Sequence, residues 1–463
     1  MNFATASAGA AKLDPSFGVN GSVLLDNHAN LYPVTSLNYQ SAEPGALAID
    51  SQGRILVGGG GDAALLLARY LPDGTLDPSF GDGGLARILN PSGSFDSYPE
   101  TNDHRIVSIL IRPDGRIVLV VKSRYTVSED YGVEPAVSYT VFLDEGGNLD
   151  ADEFNEDGWA SSPLNNDVPT SGALLPNGNV LVGGIHEPSP DKSEVYFTAG
   201  YVGERDGSGY TVRTFAEGGP RDPEIHWSNL AFFKPKHGSG TQSEVRRVIH
   251  LKSNRILVGG TFNGQPFVGR LKANGLTDPT FGSKATPGRS VHKFPADTTF
   301  GYNGLNDASD LTRNSRGQMI QAGAYLDRRG RDSGSGIALL KYLRNGRIDR
   351  SFGNDGVRLI PYQQRFKVNS VAVQKNGRIV VAGSFSQTTD QGLGPYGLAV
   401  LRFMPDGKPD RGFFDNGIYR ARIGRSNTGN KVAIDSDGRI VVAGGASING
   451  EGHFVVKRFL PGH

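Results

Sequence analysis

An aspartate and a serine recur two residues apart in this sequence, as Asp14 and Ser16, Asp77 and Ser79, and Asp349 and Ser351. A carboxylate beside a hydroxyl can serve nucleophilic catalysis. In turns, however, these side chains more often bond nearby backbone N–H groups. Each pair belongs to a repeated phrase, Asp-x-Ser-Phe-Gly, and repetition at equivalent places favours the turn role. We interpret the phenylalanines of this phrase as plugs between neighbouring units: Phe17, Phe80, Phe281 and Phe352.

A repeated calcium site is excluded by the residues at one acidic position. Asp435 lies in an acidic turn, and its counterparts along the chain are assigned as Asp50, Arg112, Leu175, Lys252, Asn314 and Gln374. Arginine, leucine and lysine cannot supply the converging oxygen ligands that Ca²⁺ needs. A separate acidic cluster is interpreted as a solvated loop, with cation binding left open: Asp150, Asp152, Glu153, Glu156 and Asp157.

Other catalytic and metal motifs are missing from the sequence. There are no cysteines, which excludes thiol catalysis, disulfides and thiolate metal sites. His226, His237 and His250 fall in the longest insertion, but without the spacing typical of a zinc site. No nucleophile elbow, P-loop or dinucleotide fingerprint occurs. The sequence therefore predicts no catalytic residue, no metal site and no cofactor.

Candidate binding residues are aromatic and basic side chains outside the repeated strand pattern. Tyrosine and tryptophan next to polar groups suit stacking on a sugar or anchoring a partner protein. They fall in the segments that vary most between units, and variable loops on a rigid scaffold are where binding residues concentrate. The predicted set is Tyr32, Tyr39, Tyr98, Tyr125, Trp227, Tyr302, Arg328, Arg329 and Tyr396.

The elements that position these residues follow a repeat of about sixty residues. A turn followed by an apolar strand occurs seven times, as in Asn376-Gly-Arg-Ile-Val-Val-Ala382 and Asp437-Gly-Arg-Ile-Val-Val-Ala443. In the fourth copy we take Arg255 as the residue that replaces the turn glycine. Each unit reads as four short strands joined by tight turns, because glycine accepts positive φ and the apolar runs are of strand length.

Repeated four-stranded units predict an all-β fold, a seven-bladed β-propeller of four-stranded antiparallel blades. The last unit stops after three strands, whereas residues 12–25 form a half-repeat without a first half. We therefore expect the N-terminal strand to join the C-terminal blade and close the ring, which removes two exposed sheet edges. The predicted domain organisation is a flexible tail over 1–12 and one propeller domain over 13–463, with 13–25 completing the last blade.

The repeated units resemble the delta-60 repeat family of bacterial β-propeller proteins, whose marks are Gly-Arg-Ile-Val-Val-Ala-Gly and Leu-Asp-x-Ser-Phe-Gly. The resemblance covers residues 13–463. It implies a propeller fold, and it implies no common activity or catalytic residues.

Bulk properties restrict the partner classes. The net charge is +1, from 48 basic and 47 acidic residues, so no global field attracts nucleic acid or an anionic membrane. No window has the length and apolar character of a membrane span. The start of the chain lacks the features of a Sec signal, so we expect a cytoplasmic protein or one exported by a leaderless route.

Three functional hypotheses follow. The leading hypothesis is a non-enzymatic binding scaffold that uses the variable-loop face or the channel mouth, with a protein partner first and a carbohydrate second. The alternative is a hydrolase or lyase whose active site lies at the channel mouth, where side chains from distant blades meet. A structural module of a larger assembly is the third. The oligomeric state is left open.

Overall fold

The computed structural model describes residues 12–26, 44–60, 64–89, 103–124, 137–150, 158–161, 167–176, 178, 180–186, 196–205, 210–214, 244–262, 264–273, 275–295, 298–300, 309–327, 334–362, 365–386, 388–389 and 392–462. Every regular element within these ranges is a β-strand. Of the nine predicted binding residues, only Tyr396 lies in them. The predicted N-terminal tail falls almost entirely outside them.

Six blades are formed by contiguous segments of the chain, and all their strand pairs are antiparallel. Blade 1 comprises β2 (Pro44–Ile49), β3 (Ile55–Gly60), β4 (Leu65–Tyr70) and β5 (Leu85–Ile88). Blade 2 comprises β6 (Asp103–Ile111), β7 (Ile117–Arg124), β8 (Val137–Leu143) and β9 (Trp159–Ser161). Blade 3 comprises β10 (Asp167–Leu174), β11 (Val180–His186), β12 (Tyr196–Arg205) and β13 (Tyr210–Thr214).

The other three contiguous blades include short extra strands. Blade 4 comprises β14 (Glu244–Leu251), β15 (Arg255–Phe262), β16 (Gln265–Lys272) and β19 (Arg289–Val291), with a small sheet of β17 (Gly282–Ser283) and β18 (Thr286–Pro287). Blade 5 comprises β20 (Thr298–Phe300), β21 (Ser309–Arg313), β22 (Met319–Asp327), β23 (Gly334–Tyr342) and β24 (Val357–Tyr362). Blade 6 comprises β25 (Arg365–Val373), β26 (Ile379–Ser386), β29 (Gly397–Phe403) and β30 (Ile418–Ala421), with a small sheet of β27 (Thr388–Thr389) and β28 (Gly392–Leu393).

The remaining sheet, here called the closing sheet, combines the two ends of the chain. Its strands are β1 (Ser22–Asp26), β31 (Ser426–Asn427), β32 (Lys431–Ile434), β33 (Ile440–Ile448) and β34 (Glu451–Phe459). β1 pairs antiparallel with β34, from Ser22 opposite Lys457 to Asp26 opposite His453. This is the pairing that the N-terminal half-repeat predicts.

The prediction of seven blades of four strands each is wrong. The fold is an all-β propeller with six contiguous blades, and the closing sheet is a five-stranded composite of both chain ends. Sheets in the described residues range from two to five strands. Blade 5 and the closing sheet gain a strand because two separate short strands, β20 and β21 or β31 and β32, pair along the same neighbour.

The assignment of the blade 4 turn is also corrected. Asn254, and not Arg255, occupies the place of the turn glycine: its φ is +52°, and its N–H donates to the carbonyl of Leu251 as Gly53 N–H does to Asp50. Asparagine tolerates this left-handed conformation better than most residues. The blade 4 counterpart of Asp50 is therefore Leu251 rather than Lys252. A repeated calcium site remains excluded, because leucine supplies no ligand oxygen from its side chain.

The core lies between neighbouring sheets. Second strands such as β3 and β26 are buried along their whole length, which explains their continuous apolar sequences. The phenylalanine plugs are confirmed: Phe17 is fully buried and packs against Gly74 of blade 1, and Phe281 packs against Gly346 of blade 5. Each plug thus fills the gap between its own sheet and the next one.

Candidate functional site

The repeated aspartates serve the scaffold, as the turn interpretation predicts. Asp14 Oδ1 accepts hydrogen bonds from the backbone N–H of Ser16 at 3.0 Å and from its hydroxyl at 2.7 Å. Its other oxygen accepts from Arg458 Nε at 2.8 Å, and Arg458 Nη1 donates to the carbonyl of Pro72 in blade 1. Burial raises the pKa of Asp14, but the bonds from Ser16 and the charge of Arg458 outweigh burial and lower it. This carboxylate therefore holds Arg458, which joins the closing sheet to blade 1, and it is not placed for chemistry.

The same arrangement recurs in other blades. Arg69 Nε donates to Asp77 at 2.8 Å, and its Nη1 donates to the carbonyl of Glu145 in blade 2 at 2.6 Å. Arg402 bonds Asp410 at 2.8 Å and the carbonyl of Pro461 at 2.6 Å. Because these groups are satisfied by one another and recur from blade to blade, they are excluded as the functional site.

The innermost strands of the propeller offer a different surface. β2, β6, β10, β14, β21, β25 and β32 contact one another in this order, and β32 contacts β2, so they enclose the central channel. Five of them carry a bulge near their N-terminal end, with Gly45, Val107, Thr170, Arg246 and Asn369 as the extra residues. Bulges re-aim side chains and are common next to functional sites.

The N-terminal part of these strands adjoins the interblade connections, and we call it the upper band. The residues of this band correspond to one another when each inner strand is aligned through its pairing with the next strand of its own sheet. They are residues 44–46, 105–108, 168–171, 244–247, 309–310, 367–370 and 428–431. Interblade connections vary in length and sequence. The upper band therefore lies where the sequence analysis expects a binding face.

Two sets of hydrogen bonds join the upper band from blade to blade. Ser108 Oγ accepts from the N–H of Gly172 at 2.9 Å, and Ser171 Oγ accepts from the N–H of Val248 at 3.2 Å. At the preceding position, Asn369 Nδ2 donates to the carbonyl of Gly429 at 3.1 Å and Asn430 Nδ2 to that of Pro44 at 2.9 Å. Neutral side chains are therefore sufficient to connect neighbouring inner strands.

One sector of the upper band departs from this neutral pattern. The position held by Ser108 and Ser171 is occupied by Arg247 in blade 4, Asp310 in blade 5 and Lys431 in the closing sheet. Asp310 still accepts a bond from the next blade, from the N–H of Val371 at 2.9 Å. Arginine and lysine have no acceptor and cannot form this bond. Arg247 instead connects blade 4 to blade 5 by donating to Asp310, so a charged pair replaces the neutral connection there.

Arg247 and Asp310 form a bidentate ion pair across blades 4 and 5. Arg247 Nε donates to Oδ1 at 2.8 Å and Nη2 donates to Oδ2 at 2.6 Å. Burial raises the pKa of Asp310, but the charges of Arg247 and Lys431 and the bonds from Arg247 and Val371 lower it overall. Burial lowers the pKa of Arg247, and Asp310 outweighs this effect and raises it. Both groups are therefore charged at neutral pH.

The arginine of this pair is open to solvent, whereas the aspartate is not. The side chain of Arg247 is 29% exposed and that of Asp310 is 4% exposed. Arg247 lies on the innermost strand of its blade, which contacts β15 and the inner strands of both neighbouring blades. A cation on the channel wall with a carboxylate beneath it can contact a ligand without losing its own charge partner.

Within its described residues, the upper band is predominantly basic. Its charged residues within the described chain are Arg105, Glu244, Arg246, Arg247, Asp310, Lys367 and Lys431. Five positive and two negative side chains give 5 − 2 = +3, in a protein whose total formal charge is +1. Glu244 is bonded by Arg246 of its own strand, at 2.5 and 2.7 Å. A channel lined mainly by one sign of charge concentrates its field at the mouth.

The sequence did not identify these residues. They have no local motif, and Arg247 and Asp310 lie 63 residues apart. Only the repeat could have identified them. An alignment of the inner strands shows charged residues at positions where other units have serine or alanine. Of the predicted set, Tyr396 is partly buried in blade 6, and its carbonyl accepts from the N–H of Asn427 at 3.0 Å. The other eight predicted residues and most of the acidic cluster fall outside the described residues.

Among the described residues, no group of three or more histidine, aspartate or glutamate side chains could hold a metal ion. His250 Nε2 lies 3.2 Å from Asn254 Oδ1, while His226 and His237 are not among the residues described. No helix in the described ranges is both long enough and apolar enough to cross a membrane.

The fold defines the chain as a β-propeller repeat protein. Residues 51–80, 252–281, 374–413 and 436–462 match a family model described as "Domain of unknown function (DUF5122) beta-propeller". A search of curated proteins gives no match.

Similar solved structures include the polysaccharide lyase Uly1, with 11% identity and a TM-score of 0.43 over 95% of this chain and 98% of that one. The extracellular domains 1–2 of Drosophila Semaphorin 1a match with 10% identity and a TM-score of 0.41, over 94% and 88% of the chains. An alpha-L-arabinanase of Penicillium chrysogenum complexed with arabinobiose matches with 14% identity and a TM-score of 0.33, over 61% and 78%.

Proposed function

We propose that the protein is a non-enzymatic binding scaffold that holds a partner protein at the upper-band mouth of its channel and on the adjoining variable loops. The observation that carries the proposal is the charged sector of Arg247, Asp310 and Lys431. Serine at the same position connects the blades in other units, so a neutral side chain would be sufficient for this connection. Buried ion pairs are also weak contributors to stability compared with neutral packing. A role in recognition accounts for both facts.

The loop residues predicted from the sequence complete this proposed surface. Tyr32, Tyr39, Tyr98, Tyr125, Trp227, Tyr302, Arg328, Arg329 and Tyr396 would supply aromatic and basic contacts around the charged mouth. The interblade hydrogen bonds support this reading, because they hold the inner strands as a rigid base below the loops. We further assign the chain to the delta-60 repeat family, on its repeated Gly-Arg-Ile-Val-Val-Ala-Gly and Leu-Asp-x-Ser-Phe-Gly phrases, with residues 13–463 as one domain.

The experiment compares partner capture by three forms of the full chain. The first is the wild type, and the second carries Arg247→Ser, Asp310→Ser and Lys431→Ser, which introduces the neutral connection seen at Ser108 and Ser171. The third is the control Arg350→Ala, whose side chain is 79% exposed and lies away from the channel. A protein captured by the wild type is purified and titrated against all three forms by calorimetry.

We expect the wild type and the control to bind alike and the triple-serine form to bind at least tenfold more weakly, as for loss of charged contacts at an interface. Equal binding by all three forms would contradict the proposed site. Reproducible turnover of a polysaccharide that is lost in the triple-serine form would instead establish the hydrolase or lyase alternative, and binding of a glycan without turnover would establish the carbohydrate alternative.

A further inference from the structure

A lysine is buried at the seam between the closing sheet and blade 6. Lys457 of β34 is 6% exposed, and its Nζ donates to the hydroxyl of Ser22 in β1 at 2.8 Å. The two residues lie directly opposite each other in the β1–β34 pair. We propose that Ser22 is a nucleophilic serine that takes an acyl group from an ester, with Lys457 as the base that removes its proton. This site is separate from the upper band, and the inference goes beyond the proposed binding function.

The other blades show that an apolar or small residue is sufficient at the place of Lys457. Its counterparts are found by aligning each third strand through its pairing with the second strand, and none of them is charged or polar. They are Ala68, Val141, Gly200, Gly269, Leu340 and Leu401. In blades 1, 5 and 6 the residue opposite, on the outer strand, is also apolar: Leu85, Val357 and Ile418. Burial of an amine costs free energy that an apolar side chain does not cost.

The surroundings of Lys457 favour its neutral form. Val442 of β33 lies opposite it on the other side, and the ring centroid of Tyr419 of blade 6 is 5.7 Å from Nζ. Burial lowers the pKa of Lys457, and no acidic side chain among the described residues offsets this effect. A desolvated lysine can serve as a base, because its neutral amine carries a free electron pair. The hydroxyl of Ser22 is within hydrogen-bond distance of that amine.

Ser22 and Lys457 differ in exposure as a nucleophile and its base require. Ser22 is partly exposed in β1, and within the described residues no further strand pairs with the outer edge of β1. Leu24 lies on the same face of β1, two residues further along, and is 52% exposed. A reactant can therefore reach the serine from solvent while the amine remains sheltered. Leu24 offers an apolar contact for the acyl chain.

The aromatic side chains beside Lys457 are held in place at a cost in backbone strain. Phe414 occupies the place of the glycine in the repeated phrase, with a φ of +41°. Its counterparts are glycines with positive φ: Gly18, Gly81, Gly282 and Gly353. The ring of Phe414 packs at 4.8 Å from that of Tyr419 and at 5.8 Å from that of Phe459. Positive φ is unfavourable for a bulky residue, and such strain is retained at functional sites. Here it fixes Tyr419 against the amine.

The chemical step transfers an acyl group from an ester to Ser22. Lys457 Nζ takes the hydroxyl proton while Oγ forms a bond to the carbonyl carbon of the ester. The bond between that carbon and the alcohol oxygen breaks, and the leaving alcohol takes the proton from Lys457. Ser22 then carries the acyl group as an ester, and Lys457 is again neutral. Ser22 is thus a covalent modification site, and the step requires no other reactant.

The test follows the reaction of the full chain with p-nitrophenyl butyrate by the absorbance of the released nitrophenolate. Peptide mapping by mass spectrometry locates the butyryl group. Hydroxylamine cleaves an ester on serine and leaves an amide on lysine intact. The variants are Ser22→Ala, Lys457→Met and the control Lys408→Met, whose side chain is 67% exposed. Thermal melting confirms that each variant is folded, and Lys457→Met should melt no lower than the wild type because it removes a buried amine.

We expect a hydroxylamine-sensitive butyryl group on Ser22 in the wild type and in the Lys408→Met control. Ser22→Ala abolishes this modification, and Lys457→Met slows it by about a hundredfold, as for loss of a general base. A wild type that carries no butyryl group on Ser22 would overturn the proposal, and this result depends on no variant. Modification of Ser22 at an equal rate in Lys457→Met would overturn it as well.

Discussion

At the scale of single residues, the aspartate of each Asp-x-Ser/Thr-Phe-Gly phrase balances burial against hydrogen bonds. Asp278 in blade 4 is the clearest case. Burial raises its pKa, but the bonds from Thr280 and Arg255 and the charge of Arg270 outweigh burial and lower it to about 2, from an ordinary value of 3.8. Since the folded state binds the proton more weakly than the unfolded state does, this group stabilises the fold above its unfolded pKa.

Asp278→Asn tests this balance through pH. The contribution of Asp278 is present above about pH 4 and is lost as the pH falls towards 2. We therefore expect the variant to be less stable than the wild type at neutral pH, and the difference to shrink over this window. Urea unfolding between pH 2 and 7 measures it. The control Asp355→Asn, at a side chain that is 71% exposed, should show no such trend; a pH-independent difference for Asp278→Asn would contradict the assignment.

Gly346 shows how closely a plug is fitted. Its φ is +85°, and a Cβ at this position would overlap the ring of Phe281. Gly83 has a φ of +59°, and a Cβ added there would have no atom within 4 Å. Its substitution therefore measures the strain of a positive φ without a steric clash. We expect Gly83→Ala to cost about 1 kcal/mol of unfolding free energy. Gly346→Ala should cost about 3 kcal/mol, because overpacking adds to it. Equal losses on thermal or urea unfolding would show that the ring moves aside freely.

Sequence reasoning identified the role of these residues because each occurs in a short repeated phrase. Asp14 with Ser16 and the plug Phe17 fall in such a phrase, and their roles follow from recurrence. The prediction for the Asn254 turn is wrong because the turn geometry that recurs in the units does not require glycine. Asn254 adopts the same positive φ as the turn glycines of the other units, whereas the prediction assigned that place to its neighbour Arg255.

At the scale of elements, β1 is the strand on which the closure of the ring depends. It pairs with β34 over five residues, and Arg458 reaches from that strand to Asp14 and to the carbonyl of Pro72. β1 therefore covers the edge of β34, while Arg458 of β34 joins the closing sheet to blade 1. Without it, β34 would present unpaired N–H and carbonyl groups.

Deletion of residues 1–26 tests this role. We expect the deleted protein to lose cooperative unfolding or to aggregate, because one sheet edge and the Asp14 ion pair are exposed or lost. Deletion of residues 1–11 is the matched control, since the described pairing begins after them. Circular dichroism melts and light scattering provide the measurement. An unchanged melting curve for the longer deletion would contradict the closure by β1.

The half-repeat predicted this pairing because the strands of each unit can be counted along the sequence. The last unit lacks one strand, and the N-terminal half-repeat supplies it. Uniform blades could not be inferred in the same way. Whether an inner strand is continuous depends on local register, and β31 and β32 are separate strands although both pair with β33. The spacing of apolar residues does not predict where an inner strand is interrupted in this way.

At the scale of the whole molecule, the propeller combines distant residues into one channel wall. Arg247, Asp310 and Lys431 belong to three sheets and meet because inner strands adjoin around the ring. Their sequence separation explains why the charged sector escaped prediction, whereas the loop aromatics were predicted from their place in the variable segments. The repeats were sufficient to predict a propeller. The charged sector consists of residues that differ from the repeat, and it can be recognised only when the pairing of the inner strands is known.

The position of the bound partner is the central claim, and site-specific photo-cross-linking tests it most directly. A benzoylphenylalanine at Lys367, in the upper band, is compared with one at Arg350, which is exposed outside the channel. The partner captured by the wild type should cross-link from position 367 and not from position 350. Cross-linking from position 350 alone, with none from position 367, would contradict binding at the upper-band mouth.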